Sequence, residues 1–429
     1  MTMSTSKNIS VKMIYAACVV IKTPDLTILC DPWFTDGIYD GSWFLYPTHD
    51  NPLSVIGDCD VVYISHIHPD HYDPTFLRQY FAEFGSKPFI IAERTPNYLA
   101  SKLRQDFKNA ELIMGKFSRG NTNANVYPHE TGSINEIDSA LEVELEYSNK
   151  CHRIINLNDC VYDKDFLNKI RNKKNYDICL AAYTAAGSYP QTYFSVDDPT
   201  LEIESEKKKK KMLDRYLDTT KIIGAQVNIP FAGQYVLGGR LTKLNRFRGV
   251  VDATEVLNLE PQSVVLEEYG GTIDTDHLIA IHGRCTAHSD LQLEARLNEI
   301  ADRKMDYELD SYPEPEYEQI YDALTLSEIN ARKKSECTED HFFVFVFDDE
   351  LNLVVNVNQS GAGGVRKISC ASEVGEPRSE IYIDRRYLFG LLTKQFHWNN
   401  AEVGSQYETR RIPNKFDRAV QGYLNFLAI

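Results

Sequence analysis

The chain has 429 residues, 43 % apolar and 25 % charged, a composition that excludes a disordered or fibrous protein and predicts two or three globular domains. Its longest apolar runs, such as HFFVFVF at 341–347, fall far short of the ~20 residues that span a bilayer, and no basic region leads into a long apolar core at the N-terminus; neither a membrane segment nor a signal peptide is expected, and the cytoplasm is the expected compartment. A net charge of −16 excludes a general nucleic-acid binder, whose surface must be basic to displace counterions.

VKMIYAACVVIK and LTILCD, within residues 11–31, predict short strands joined by a turn at Thr23-Pro24-Asp25. An aromatic-, Gly- and Asp-rich loop follows, DPWFTDGIYDGSWFLYPTHD, and then a buried strand, CDVVYIS, whose end carries a cluster of histidines. PTFLRQYFAEFG is amphipathic and helical, KPFIIAE a strand, LEVELEYS and HRIINLND two strands flanking a turn, and YDICLAAYT another strand. KKKKKMLDRYLDTT predicts a helix and IIGAQVNIPFAG a strand running into a glycine loop. Strands and helices alternate with polar residues at strand ends, an α/β pattern with functional loops at the sheet edge. Residues 261–340 read as a helical connecting region (DLQLEARLNEIADRK and EYEQIYDALTLSEINARKK, separated by SYPEPE) after a first domain over 1–260. Residues 341–429 read as a smaller α+β domain, with a hairpin turning at Asp348-Asp349-Glu350 and helices in RRYLFGLLTKQ and NKFDRAVQGYLNFLAI.

Nine cysteines, an odd number without any C-x-x-C, speak against a disulfide framework, a zinc ribbon and a thiolate-held iron–sulfur cluster. Lys207–Lys211 is the strong basic cluster; with acids before and after it, a solvated helix face is the plain reading, and a rim for an anionic substrate or a membrane contact the alternatives.

In H66-I-H68-P-D70-H71 the spacing carries the chemistry. His66 and His68 are two apart, so on an extended segment both rings project to one side and can share one metal ion. Asp70 and His71 sit where the chain turns into the next helix, within reach of a second ion or of the open side of the first. Imidazoles with a carboxylate suit iron, zinc or manganese.

These residues match the H-x-H-x-D-H signature of the metallo-β-lactamase fold superfamily, and the resemblance implies an αββα sandwich with one or two metal ions at the sheet edge. It also implies a third histidine, for which His129 in NVYPHETG is the candidate, and a bridging aspartate, for which Asp159 in RIINLNDC is the candidate. ILCDPWFTDG, VVYISHIHPDH, RIINLNDC, AAYTAAGSYPQTYF and IPFAGQYV, across roughly residues 12–280, are similar in order and spacing to the metallo-β-lactamase-like part of CMP-N-acetylneuraminate hydroxylase and its bacterial relatives. Those hydroxylases use non-haem iron and carry an N-terminal Rieske domain. Here about ten residues precede the fold and no Cys-x-His pair occurs, so the Rieske module is expected to be absent and electrons to come from a separate donor or the substrate. The late histidine that the relatives place after the FAG segment is missing, with His277 and His282 as the substitutes to examine. By the same resemblance the D-P-W loop packs beside the metal ions, which makes Asp31 either an orienting partner of a ligand imidazole or a capping residue before Pro32. Trp33 and His49 lie in or near that loop, and Gly233 and Ala186-Gly187-Ser188 are glycine loops that either approach an anion or simply turn. His397, Trp398, Asn399 and Asn400 lie in a tail with a distant likeness to sterol-carrier-like domains, read as structural, gating or subunit contact.

The reading that results is a metal-dependent enzyme with Asp70 as its catalytic carboxylate and one or two iron ions, or alternatively zinc or manganese. It leans to a non-haem iron oxygenase of a small polar, sugar- or nucleotide-sugar-like molecule. A hydrolase of an ester, lactone or phosphodiester, or a degenerate metal-containing module, is the alternative. The expected partners are a small molecule and a separate electron donor, without nucleic acid or membrane, in a chain that can form a homo-oligomer.

Overall fold

The computed structural model describes residues 7–130, 137–147, 150–335, 337–347, 352–357 and 364–429. The expected hairpin turn at 348–350 lies outside them.

Two sheets face each other, and alternation along their strands decides what each layer touches. In Ser10–Tyr15, Cys18–Lys22 and Thr27–Cys30, Val11, Met13, Val19, Ile21, Ile28 and Cys30 point inward against Leu141, Val143, Ile154, Leu180 and Ile229 of the second sheet. The residues between them, Ile14, Val20 and Leu29, point outward onto the helices Pro74–Phe84 and Tyr98–Asp106 through Phe76, Leu77, Tyr80 and Leu103. On the far side Ile155, Cys179 and Ala181 pack against Phe166, Leu167, Ile170, Tyr216 and Ile223 of the helices Lys164–Arg171 and Pro199–Ile223. This is the four-layer αββα sandwich, held by a period of two in the strands and of 3.6 in the helices.

The first sheet has seven strands and ends on Thr272–Asp274, which pairs antiparallel with Ser10–Tyr15 in the register Val11↔Ile273. Thr27–Cys30, Val61–Tyr63, Phe89–Ile91 and Leu112–Met114 run parallel, as do Lys150–Asn156, Ile178–Ala182 and Val227–Phe231 of the six-stranded second sheet. Parallel pairing sends all their C-terminal ends to one rim, and loops there carry function in open α/β sheets. Three non-glycine residues just past these strands adopt left-handed backbone, Asp31 (φ 42°), Asn158 (φ 56°) and Ala232 (φ 57°). Such strain collects where surrounding structure forces a special geometry.

The C-terminal part is a five-stranded mixed sheet ordered Gly364–Ile368, Asn352–Asn356, Phe342–Val346, Arg378–Tyr382, Glu408–Ile412. One face, with Phe343, Phe345, Leu353 and Val355, is covered by the helices Tyr317–Lys334, Arg385–Leu392 and Arg418–Asn425. Its core runs without a break into Trp33, Tyr39, Trp43 and Tyr235 of the strand-end loops. Polar groups reinforce that junction: Gln406 donates to Tyr39 O (2.8 Å), Ser42 to Gly404 O (2.5 Å) and Tyr387 to Asp40 Oδ2 (2.6 Å). Among the described residues, no helix is long and apolar enough to cross a membrane.

Candidate metal centre

The histidine cluster sits where the strand Val61–Tyr63 ends and the helix Pro74–Phe84 has not begun. Asp73 caps that helix by accepting from Phe76 N (2.9 Å), and Pro74 stands in its first turn. The other oxygen of Asp73 accepts from Phe34 N (3.1 Å) and Thr35 N (2.9 Å), so one carboxylate ties the D-P-W loop to the cluster.

Within the cluster His66 Nε2 and His68 Nδ1 face each other at 3.0 Å. Asp159 Oδ1 lies 3.2 Å from His71 Nε2 and 4.0 Å from His66 Nε2, and Asp70 Oδ2 lies 3.4 Å from His71 Nε2. Among the described residues two sets of donor atoms result, Asp70–His71–Asp159 and His66–Asp159–Cys160, each with its atoms within 4.8 Å of one another, and Asp159 belongs to both. The donor set of buried imidazoles and carboxylates fits a first-row transition-metal ion. So does the adjoining cleft of about 20 Å³, lined by Asp70, His71, Asp159, Trp33, Gly233 and Tyr235. Trp43 Nε1 and Thr184 Oγ1 also line it as buried polar atoms that meet no protein partner. A Cβ on Gly233 would stand 2.5 Å from Tyr183 Oη, so the close approach of this loop requires glycine.

Electrostatics polarise the cluster. Burial lowers the pKa of His71, but Asp159, Asp70 and Asp31 outweigh it and hold the imidazole well above the ordinary histidine range. His66 is pushed well below that range by burial and by His71 and His68. Burial raises the Asp70 carboxyl, yet His71 and His68 and the hydroxyl of Tyr39, which donates to Oδ1 at 2.5 Å, bring it below its usual value.

Partners fix the rings. Asp31 is buried, takes Ser65 N–H on Oδ1 (2.7 Å) and has Oδ2 3.1 Å from His71 Nδ1. The Ser65 hydroxyl lies 2.9 Å from His66 Nδ1 and 3.2 Å from His71 Nδ1. His68 Nε2 lies 2.8 Å from Asn399 Oδ1, from the C-terminal part; an Nε2–H donated there leaves the Nδ1 lone pair facing His66.

His129, expected as the third histidine, is not in the cluster. Its Nε2 lies 2.9 Å from Asp163 Oδ2, and its ring packs against Tyr162 and Phe166. The carboxylate that comes close is Asp138, whose main-chain oxygen accepts from His129 N (2.9 Å). Burial and the neighbouring Asp159 raise its pKa, while His68 and a hydrogen bond with Cys160 oppose the rise. The Cys160 thiol itself is pushed well above its usual range by burial, Asp138 and Asp159, which keeps it protonated and a donor toward Asp159 Oδ1 (3.8 Å). His49 is exposed, stacking on Tyr269 and accepting from Asn51 N; His277 pairs with Asp274 on the surface, and His282 is exposed too. Neither His277 nor His282 substitutes for the missing late histidine, and His49 does not line the cleft. Asp138, Ser65 and Tyr39 carry no signal as site residues in the sequence, because only the fold brings them to the rim, and Asn399, read there as structural, gating or subunit contact, stands against His68.

Fold and rim together define a metallo-β-lactamase fold with a buried histidine–carboxylate centre. Residues 10–153 match the family model described as a beta-lactamase superfamily domain. The chain is 27 % identical over 223 residues to a Mycolicibacterium smegmatis protein named for a Rieske 2Fe-2S iron–sulfur centre, covering 48 % of this chain and 40 % of that protein. It is 26 % identical over 236 residues to cytidine monophosphate-N-acetylneuraminic acid hydroxylase of Danio rerio, covering 53 % of this chain and 38 % of the hydroxylase. The chain thus spans less than half the length of the curated relatives it matches. Solved structures with a similar fold include CmlA, a diiron β-hydroxylase of Streptomyces venezuelae (TM-score 0.41, 11 % identity, 63 % of this chain and 54 % of that one). Another is the isothiocyanate hydrolase from Delia radicum gut bacteria (TM-score 0.42, 15 % identity, 62 % and 98 %).

Proposed function

We propose that this chain is a metal-dependent oxygenase whose His66, His68, Asp70, His71 and Asp159, with Asp138 beside them, hold one or two iron ions and act on a small polar molecule. The observation that carries this reading is the position of Asp159, shared between a carboxylate-rich set with Asp70 and His71 and a second set with His66 and Cys160, whose thiol stays protonated. Hard oxygen donors mixed with imidazole favour iron or manganese over a thiolate-type zinc site. The likeness in sequence to a named hydroxylase and to a Rieske-named protein supports oxygenation over hydrolysis. A separate electron donor and a cytoplasmic location belong to the same reading.

When bound, iron would supply the redox centre that hydroxylation by O₂ requires, and zinc or manganese a Lewis acid for hydrolysis. The chain's own residues do the rest. Ser65, Asp31 and Asn399 hold the three imidazoles in fixed orientations. Trp43 and Tyr235, stacked with ring centroids 3.4 Å apart, wall one side of the cleft and exclude water. Asp70 is kept ionised by His71 and His68 and oriented by Tyr39, with Oδ2 turned to His71.

That ionised Asp70 also favours a second reading, a hydrolase in which it takes the proton of an attacking water. Metal analysis of protein purified without chelator, O₂ uptake with a chemical reductant, and an ester, lactone and phosphodiester panel separate the two. Iron with O₂ consumption supports the oxygenase, and zinc or manganese with turnover of the panel supports the hydrolase. Bound metal without turnover makes the chain a binding module, and protein that takes up no metal overturns all three.

A further inference from the structure

The lysine run divides in the folded chain. Lys209 pairs with Glu206 (2.5 Å), whereas Lys207, Lys208 and Lys211 join Arg215, one and two turns along the same helix, on a cavity of about 560 Å³. That volume lies within the roughly 300–1,000 Å³ of small-molecule sites. The opposite wall comes from the loop 186–189 and from Asn399, Glu402 and Val403. Ala186 lines both this cavity and the narrow cleft beside Asp70, His71 and Asp159, and Asn399 is the residue that holds His68. The cavity therefore adjoins the candidate metal centre.

Its charges are not neutralised. Two carboxylates line it, but Glu204 is taken by Lys207 (2.6 Å), and Glu402 accepts from Tyr193 (3.1 Å) and Gln421 (3.0 Å). Among the described residues Lys208, Lys211 and Arg215 make no ion pair; Lys208 donates to Tyr189 O (2.9 Å) and Arg215 has Met212 Sδ at 3.8 Å. Three unpaired cations converging on one concavity, in a chain of net charge −16, form a local attractor for anions. An Arg fork beside two Lys point charges matches the several oxygens and the double charge of a phosphate better than a single carboxylate. Burial, and after it Arg248, pushes the Lys208 ammonium down to about 7, and an anion bound beside it would restore its charge.

We propose that Lys208, Lys211 and Arg215 bind the phosphate of a phosphorylated small-molecule substrate, whose remaining part reaches past Ala186 and Asn399 into the metal cleft. The phosphate site stands on the cavity alone; the direction of the rest of the substrate rests on the reading of the cleft as the reaction centre.

The test is isothermal titration of the full-length protein with inorganic pyrophosphate at constant ionic strength, in the wild type and in Lys211→Glu, Arg215→Ala, Lys210→Glu and His68→Ala. Lys210 is exposed on the same helix outside the cavity, so Lys210→Glu makes the same charge change as Lys211→Glu. Lys211→Glu and Arg215→Ala should each weaken binding at least about tenfold, with helix content unchanged by circular dichroism, while Lys210→Glu and His68→Ala bind as the wild type does. No binding by the wild type, or equal losses in Lys210→Glu and Lys211→Glu, would overturn the phosphate site. Pyrophosphate binding that is lost in His68→Ala would move the anion onto the metal centre and overturn it too. Normal pyrophosphate binding in a protein that takes up no metal would instead overturn the oxygenase reading and leave this site standing.

Discussion

Asp40 offers a quantitative check on how the C-terminal part is joined to the metal-side loop. Its carboxylate accepts from Tyr387 Oη (2.6 Å), and burial, opposed by that bond and aided by Asp306, raises its pKa to about 6. An unfolded aspartate titrates near 3.9, so the folded state binds the proton more tightly by about two pH units, or about 3 kcal/mol. Partial access to solvent reduces this to about 2 kcal/mol. Because the folded pKa is the higher one, the stabilising proton is present below about pH 4 and is lost as pH rises through about 6. Asp40→Asn keeps an oxygen for the tyrosine and suits the left-handed backbone there (φ 63°), but carries no charge. The variant should therefore match the wild type near pH 4 and exceed it by about 2 kcal/mol at pH 7.5. Urea unfolding followed by tryptophan fluorescence reads the junction directly, because Trp33, Trp43 and Trp398, the chain's three tryptophans, all lie in its shared core. A variant destabilised equally at both pH values would refute the reasoning, since Asp40 would then act through its hydrogen bond and not through a buried charge.

Further outcomes follow from the same contacts. His68→Ala should abolish metal binding with little change in far-ultraviolet circular dichroism; stoichiometric metal in that variant would show the centre to be elsewhere. Asp159→Ala removes the one carboxylate common to both donor sets, so the metal content per chain, read by plasma mass spectrometry, should fall further than in Asp138→Ala. Asn399→Ala frees His68 Nε2 and should weaken metal affinity by roughly 10- to 100-fold in competition with a chromogenic chelator. Unchanged affinity would reduce Asn399 to a wall residue. Gly41→Ala places a Cβ 2.8 Å from Met305 Cα at φ +94° and should cost more than about 1 kcal/mol in urea unfolding, reported again by the tryptophans.

What could be read from the chain follows the range of the interactions involved. His66, His68, Asp70 and His71 were legible because strand geometry and a turn bring neighbours in sequence to one point, and Asp159 only because the resemblance asks for an aspartate after a hydrophobic strand. Residues 207–220 of the long lysine-rich helix were legible from composition, but its full extent, Pro199–Ile223 between the caps Asp198 and Gly224, was not, and the strand expected from Ile222 begins at Val227. That Lys208, Lys211 and Arg215 of this helix line a cavity was not legible either, because the cavity depends on the loop 186–189 and on Asn399 closing over it. The strands Lys116–Arg119 and Thr122–Pro128 were passed over for want of a clean apolar alternation, and with them went the correct placing of the stretch that follows.

His129 shows why type alone misleads. A histidine was sought in that stretch because the resemblance asks for one, yet the ring finds Asp163 and two aromatic neighbours away from the cluster. The hydrogen bond from His129 N to Asp138 O instead brings a carboxylate up to Asp159 and His68. Exchanging an imidazole for a carboxylate at such a rim adds negative charge and hard oxygen, and two mutually repelling aspartates are held together best by a cation between them. Burial is the first cause of the raised pKa of Asp138 and the charge of Asp159 the second, so a cation held by Asp159 would lower it.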